Sequence, residues 1–214
     1  MLADIPFVSI EGNIGSGKST LLGSLTGALR SDEVVIIHEP VEEWVEKGLL
    51  QALYDGHLPA EVFQYAALAG INRATLEALR SVTSKTKLIL AERSLFSNKE
   101  VFARAVMPNV ISRRAFEYAW EAAMASLPRM NFIRLYVRTP PDICLQRIAM
   151  RSRESEAAIT AEYLEHLSAL HEDWCARELQ SADPASSNWI FLEGDMPTDA
   201  VSNAALQYLL RLMS

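Results

Sequence analysis

Five short runs rich in β-branched and other apolar residues alternate with longer segments whose apolar positions recur every three to four residues. The runs are residues 5–11, 34–38 (Val34-Val35-Ile36-Ile37-His38), 87–91, 131–137 and 189–192. Helical spacing marks residues near 18–30, 41–54, 60–81, 97–107, 112–126, 140–150, 160–180 and 198–212. The short runs are apolar almost without interruption, as strands are when a parallel sheet is covered on both faces. Their alternation with helices over the whole length predicts an α/β fold of three layers, a central five-stranded parallel sheet flanked by helices. Ser181 to Asn188 is polar and contains a proline, and reads as a loop before the last strand.

Ligands of such sheets bind beyond the C-terminal ends of the strands, and the chemistry-bearing residues of this chain stand there. The first run leads into Gly12-Asn13-Ile14-Gly15-Ser16-Gly17-Lys18-Ser19-Thr20, which fits the phosphate-binding pattern G-x-x-x-x-G-K-[ST] without a gap. Strand before and helix after are the context this loop requires. Glycines at 12, 15 and 17 let the backbone approach an anion, and successive amides with the helix N-terminus direct partial positive charge at phosphate. Lys18 is expected to reach the β- and γ-phosphates and Ser19 to ligate Mg²⁺. A nucleoside triphosphate is therefore the expected ligand.

The second run ends in His38-Glu39-Pro40, the third in Glu92-Arg93-Ser94, and Arg138 follows the fourth. A carboxylate at position 39 can accept the proton of an attacking hydroxyl in a phosphotransferase; it can equally start the next helix, with Pro40 in the first turn. Glu92 suits Mg²⁺, and Arg93 suits charge developing on a transferred phosphoryl group; an ordinary Glu–Arg ion pair is the alternative. Arg147 to Glu156 is the densest basic patch. It can serve as an arginine-bearing lid over triphosphate, with the lid at about 151–159, or simply as a solvated helix end.

Composition narrows the picture. At 214 residues, half of them apolar, the chain can bury one sizeable core, and a single domain over 1–214 is expected. No apolar run approaches the roughly 20 residues of a membrane span, and Met1-Leu2-Ala3-Asp4 shows no secretory pattern, so a cytoplasmic location is expected. Cys144 and Cys175 are too few for a disulfide scaffold and read as idle thiols. A net charge of −7 argues against a nucleic-acid polymer as partner. His57, His166 and His171 lack metal-ligand spacing and read as surface residues, whereas Trp120, Trp174 and Trp189 read as core.

Four segments taken in order resemble the deoxynucleoside kinase family, whose members include deoxycytidine, deoxyguanosine and thymidine kinases. They are Glu11 to Thr20, Glu39-Pro40-Val41 with Trp44, Glu92-Arg93-Ser94, and Arg151-x-Arg153 followed by Ile159-Thr160-x-Glu162-Tyr163-Leu164. The resemblance spans about residues 6–175 and implies the three-layer P-loop kinase fold, ATP and Mg²⁺ as cofactors, and transfer of the γ-phosphate to the 5′-hydroxyl of a deoxynucleoside. It implies Glu39 as the base, Arg93 and Lys18 as its catalytic companions, and Ser19 with Glu92 at the metal. Tyr54 and Glu162 match positions at the sugar 3′-hydroxyl. Trp44 and Phe102 match residues around the base, and Gln64 matches an amide that reads the base edge. Arg147, Arg151 and Arg153 fall in the lid, and Asp195 falls in a loop near adenine. A homodimer is also implied, and the apolar faces of helices 41–54 and 112–126 are candidates for its interface.

Two positions depart from the family pattern. Asn98 stands where an aspartate or alanine is usual, and Ile71 replaces an arginine seven residues after the glutamine. Arg73 is near, but two residues turn a side chain by about 200° on a helix. Without an acid–arginine pair, a pyrimidine pocket is expected over a purine one. A kinase acting on a nucleoside monophosphate and a non-catalytic nucleotide-binding subunit remain as alternatives. The absence of Lys or Arg from Tyr54 to Gln64 weighs against the first, and the presence of Lys18, Glu39 and Arg93 against the second.

Overall fold

The computed structural model describes residues 2–152, 156, 158–181 and 188–214. Within these the apolar runs form five strands, β1 (Pro6–Glu11), β2 (Val34–Ile37), β3 (Leu88–Glu92), β4 (Asn131–Arg138) and β5 (Trp189–Glu193). They pair in parallel in the order β2-β3-β1-β4-β5. All residues of β1 and β3 are buried, as strands covered on both faces are, the polar Ser9, Glu11 and Glu92 included. Alternate residues supply opposite faces. Val8, Ile10, Leu88 and Leu90 pack with Leu21, Leu22 and Leu25 of α1 (Lys18–Ala28) and Leu209 of the C-terminal helix, Thr198–Leu212. Phe7, Ile89 and Ala91 face the other way, toward Ala74 and Ala78.

Because β3 lies on one side of β1 and β4 on the other, the chain reverses its winding at β1. The crevice of a doubly wound sheet opens at such a switch point, and here it opens where β1 runs into the glycine loop.

The segment expected as one helix over 41–54 is broken into α2 (Val41–Glu46) and α3 (Leu49–Tyr54). Gly48, at φ +68, adopts a left-handed conformation that stops the first and starts the second. The long α4 (Ala60–Leu79) follows. After β3 the chain forms α5 (Leu95–Ser97), a π-helical stretch over Asn98–Ala103 and α6 (Arg104–Val106) in direct succession. The remaining helices are α7 (Val110–Ala125), α8 (Pro141–Arg151), α9 (Ala161–Ser181) and α10 (Thr198–Leu212). Trp174 and Trp189 are buried and Trp120 partly so, its Nε1 donating to the Leu95 carbonyl at 2.7 Å. Both cysteines are buried and free. Among the described residues no helix is long and apolar enough to cross a membrane.

His171 was expected at the surface but is 1% exposed in α9. Its ring stacks on Tyr136 of β4 and meets Phe102 edge-on, at centroid distances of 5.6 and 6.3 Å. Helical spacing places residue 171 with Leu164, Leu167 and Trp174 on the inner face, and that phase overrides the polarity of the imidazole.

Candidate active site

Gly12, Gly15 and Gly17 take φ values of +146, +76 and +102, which wind the loop after β1 around a hollow facing the N-terminus of α1. At Gly15 a Cβ would stand 2.6 Å from the Cys144 carbonyl oxygen, so only glycine fits against α8. Lys18 is buried, and its Nζ donates to the Asn13 carbonyl at 2.6 Å. Burial first, and the nearby Arg93 cation second, lower its pKa to about 7. The next residue, Ser19, donates its hydroxyl to Glu92 Oε1 at 2.6 Å. These two oxygen donors, one from the first turn of α1 and one from the end of β3, fit a hard divalent cation that also takes phosphate oxygens.

Beyond Glu92 the chain turns sharply at Arg93, whose Nη1 donates to the Gly12 carbonyl at 2.9 Å. Its Nε pairs with Glu39 Oε1 at 3.1 Å, and its guanidinium lies 4.4 Å above the Phe102 ring. Glu39 arrives from β2, just before α2 begins. Carboxylate and guanidinium therefore come from adjacent strand ends and meet beside the glycine loop.

The far end of the hollow is apolar, with Trp44 of α2, Leu53 and Tyr54 of α3, and Phe63, Ala67 and Ile71 of α4. Trp44 meets Phe63 edge-on at 5.4 Å between centroids. Two buried amides interrupt this surface: Asn98 Nδ2 donates to Gln64 Oε1 at 2.9 Å. Asn98 Oδ1 has no partner among the described residues. With its oxygen taken by Asn98, the amino group is the free end of the Gln64 amide. The wider π-helical turn sets both Asn98 and Phe102 on the cavity side, a placement such turns often serve at functional sites.

Together these groups line one cavity of about 1110 Å³, which includes residues 14–21, Glu39, Trp44, Tyr54, Gln64, Glu92, Arg93, Asn98 and Phe102. Arg147 closes one side: Nη1 donates to Ser16 O at 3.1 Å and Nη2 to Gly194 O at 2.9 Å, joining the phosphate loop to the turn after β5. Arg151 pairs with Glu156 at 2.5 Å. Arg153 lies outside the described residues.

Several of the expected residues stand apart from the cavity lining. Glu162 is exposed in the first turn of α9 and does not line the cavity. Glu156 does line it; burial, followed by the charge of Glu156, pushes the Tyr54 phenol up to about 12. Glu156 stands five residues after Arg151, within the basic segment itself, and that proximity was the available signal. Asp195 is exposed and off the lining, whereas its neighbours Gly194 and Met196 are on it. Gly12 and Asn13 form the back of the loop rather than its cavity face; Asn13 Nδ2 donates to the Leu164 carbonyl of α9 at 2.8 Å. Arg138 turns away to Glu172 at 2.7 Å. Arg73 pairs with Glu43 and Glu77 at the surface while Ile71 faces the cavity, so Arg73 does not replace the missing arginine.

A family model for deoxynucleoside kinase matches residues 8–203. The chain belongs to the deoxynucleoside kinase family. It is 34% identical over 178 residues to a probable deoxycytidine kinase of fowlpox virus, covering 78% of this chain and 70% of that one. It is 31% identical over 204 residues to deoxycytidine kinase 2 of Gallus gallus, covering 82% and 76%. Mitochondrial thymidine kinase 2 of Homo sapiens is 29% identical over 199 residues, covering 88% and 70%. The protein is thus a deoxynucleoside kinase, and the family implies ATP as its phosphate donor.

Proposed function

We propose that this deoxynucleoside kinase transfers the γ-phosphate of ATP to the 5′-hydroxyl of a pyrimidine deoxynucleoside, giving the 5′-monophosphate. The observation that carries the reading is the shared cavity, in which the Glu39–Arg93 pair accompanies the phosphate loop and the Gln64–Asn98 amide pair. Lys18 and the amides around Gly15 and Gly17 bind the triphosphate, with Arg147 and Arg151 on its open side. Ser19 and Glu92 would hold the Mg²⁺ that accompanies ATP, which when bound neutralises phosphate charge. Glu39 takes the proton of the attacking 5′-hydroxyl, and Arg93 stabilises the charge that grows on the transferred group. Trp44 and Phe102 enclose the base while Gln64 and Asn98 meet its polar edge. Tyr54 and Glu156 stand where a sugar hydroxyl can be bound.

Two features support a small, uncharged acceptor. Among the described residues the Lys and Arg side chains on the lining are Lys18, Arg93, Arg147 and Arg151; none comes from α3 or α4 to hold an acceptor phosphate. Ile71 stands where an arginine could have paired with an acid to read a purine. The relatives' names, deoxycytidine kinase and thymidine kinase, point the same way. The reading extends to a homodimer through α7, where Val110, Ile111 and Tyr118 are 52%, 66% and 78% exposed; a monomeric mass on sedimentation would remove that part.

The test is ATP-dependent phosphorylation of the four common deoxynucleosides, with thymidine monophosphate as a further acceptor. Turnover of deoxycytidine or thymidine above the purines is expected. Turnover of the monophosphate alone would overturn the proposal, as would preference for purines.

A further inference from the structure

Arg93 is held at φ +64, in the left-handed region that residues with a Cβ avoid. Ser152, which ends α8, is the only other non-glycine residue with positive φ among the described residues. Such conformations persist where the surroundings over-determine them, and they concentrate at functional sites.

The grip on this turn comes from three consecutive residues of another strand end. The Ile10 carbonyl accepts from the Arg93 backbone N at 3.0 Å, and the Gly12 carbonyl accepts from Arg93 Nη1 at 2.9 Å. Between them, Glu11 Oε1 accepts from Ser94 Oγ at 2.5 Å. Ser94 in turn accepts from the backbone N of Phe96 and Ser97 and so caps α5. The turn is thereby tied on one side to β1 and on the other to the helix that follows.

Glu11 is the costly part of this arrangement. It is fully buried, and its second oxygen has no partner among the described residues. A buried carboxylate with a single hydrogen bond is a poor source of stability. Nor does Glu11 line the cavity, so substrate contact does not account for it.

We propose that Glu11 is a positioning residue. Through Ser94 it holds the left-handed turn that aims Arg93 between the glycine loop and Glu39, so that phosphate loop and arginine form one rigid unit. The inference rests on the reading of Arg93 as the group that stabilises the transferred phosphoryl.

The experiment compares steady-state kinetics of Ser94→Ala, Glu11→Gln, Ser97→Ala, Arg93→Ala and the double variant Ser94→Ala/Arg93→Ala, each checked for folding by circular dichroism and thermal unfolding. Ser94→Ala is expected to lower kcat at least tenfold with both KM values within about twofold. Ser94→Thr, which keeps the hydroxyl, is expected to recover most of it. Glu11→Gln is expected to fall between wild type and Ser94→Ala. Ser97→Ala weakens the same cap without touching Glu11 and is expected to stay within about twofold of wild type in kcat. In the Arg93→Ala background the Ser94→Ala change is expected to cost nothing further. The proposal is overturned if folded Ser94→Ala and Glu11→Gln keep wild-type kcat, if Ser97→Ala loses as much as Ser94→Ala, or if the single losses multiply in the double variant. Full activity of Arg93→Ala would remove the underlying reading of Arg93 itself. Should Ser94→Ala fail to fold, Glu11→Gln and Ser94→Thr decide the matter alone.

Discussion

Glu39 sits 3.1 Å from Arg93 Nε, so its carboxylate is oriented before any acceptor arrives. Glu39→Gln keeps the shape and a hydrogen-bond acceptor but cannot take a proton. It is expected to lower kcat by about a hundredfold or more while nucleoside binding stays within a few-fold; undiminished kcat would exclude Glu39 as the base. Asn98 offers a second substitution with a definite sign. Asn98→Asp turns a donor into an acceptor, so Gln64 must present its amino group to the new carboxylate. Acceptors then face the cavity, which suits the exocyclic amine of cytosine and opposes the 4-oxo group of thymine. A mispaired polar group of this kind costs about 1–3 kcal/mol, so kcat/KM for deoxycytidine over thymidine is expected to rise roughly tenfold to a hundredfold. An unchanged ratio in parallel assays would place the base elsewhere. Neither the partnership of Asn98 with Gln64 nor the outward turn of Arg73 could be fixed without the phase of α4, since both depend on a fraction of a helical turn.

Among the elements, the glycine loop was the most legible, because its chemistry depends on backbone freedom that only certain residues provide. Gly15→Ala tests this directly. Its Cβ would meet the Cys144 carbonyl at 2.6 Å and Ile148 Cγ1 at 3.0 Å, on a backbone at φ +76. A destabilisation of roughly 1–3 kcal/mol and a raised KM for ATP are expected; a wild-type melting temperature and KM together would contradict that geometry. Less legible were features that answer to tertiary packing. The break at Gly48 interrupts an otherwise continuous apolar pattern, and the π-helical turn after Ser97 has no residue-type signature of its own. In the basic segment, the match at Ile159 to Leu164 drew attention to Glu162, whereas Glu156 is the carboxylate on the cavity. A local pattern names the segment; which of its acids turns inward is set by how α8 and α9 pack.

The whole molecule carries a pH dependence that His171 makes explicit. Burial, with the Arg93 charge next, lowers its pKa from 6.5 to about 3, and its Nδ1 lies 2.8 Å from the Leu167 carbonyl. The unfolded chain therefore binds a proton that the folded chain refuses between those two values. Stability from this group is retained above pH 6.5 and is lost progressively as pH falls from there toward about 3. His171→Asn is expected to flatten the fall in unfolding free energy on acidification, measured in denaturant titrations at several pH values; parallel curves for the two proteins would refute it. The sheet itself was readable because parallel strands buried on both faces leave a hydrophobic run in the sequence. Strand order was not, since the reversal at β1 is a matter of which neighbour each strand finds.

The amide pair at the end of the cavity has one more consequence. Gln64 and Asn98 are neutral amides, whereas Glu39 and Lys18 elsewhere on the same cavity carry ionisable groups. Under the proposed reading, acidity acts on the groups at the phosphate end and leaves these two amides unchanged. A carboxylate beside Gln64 would have made both ends of the cavity respond to pH; two neutral amides confine that response to the proposed phosphate end.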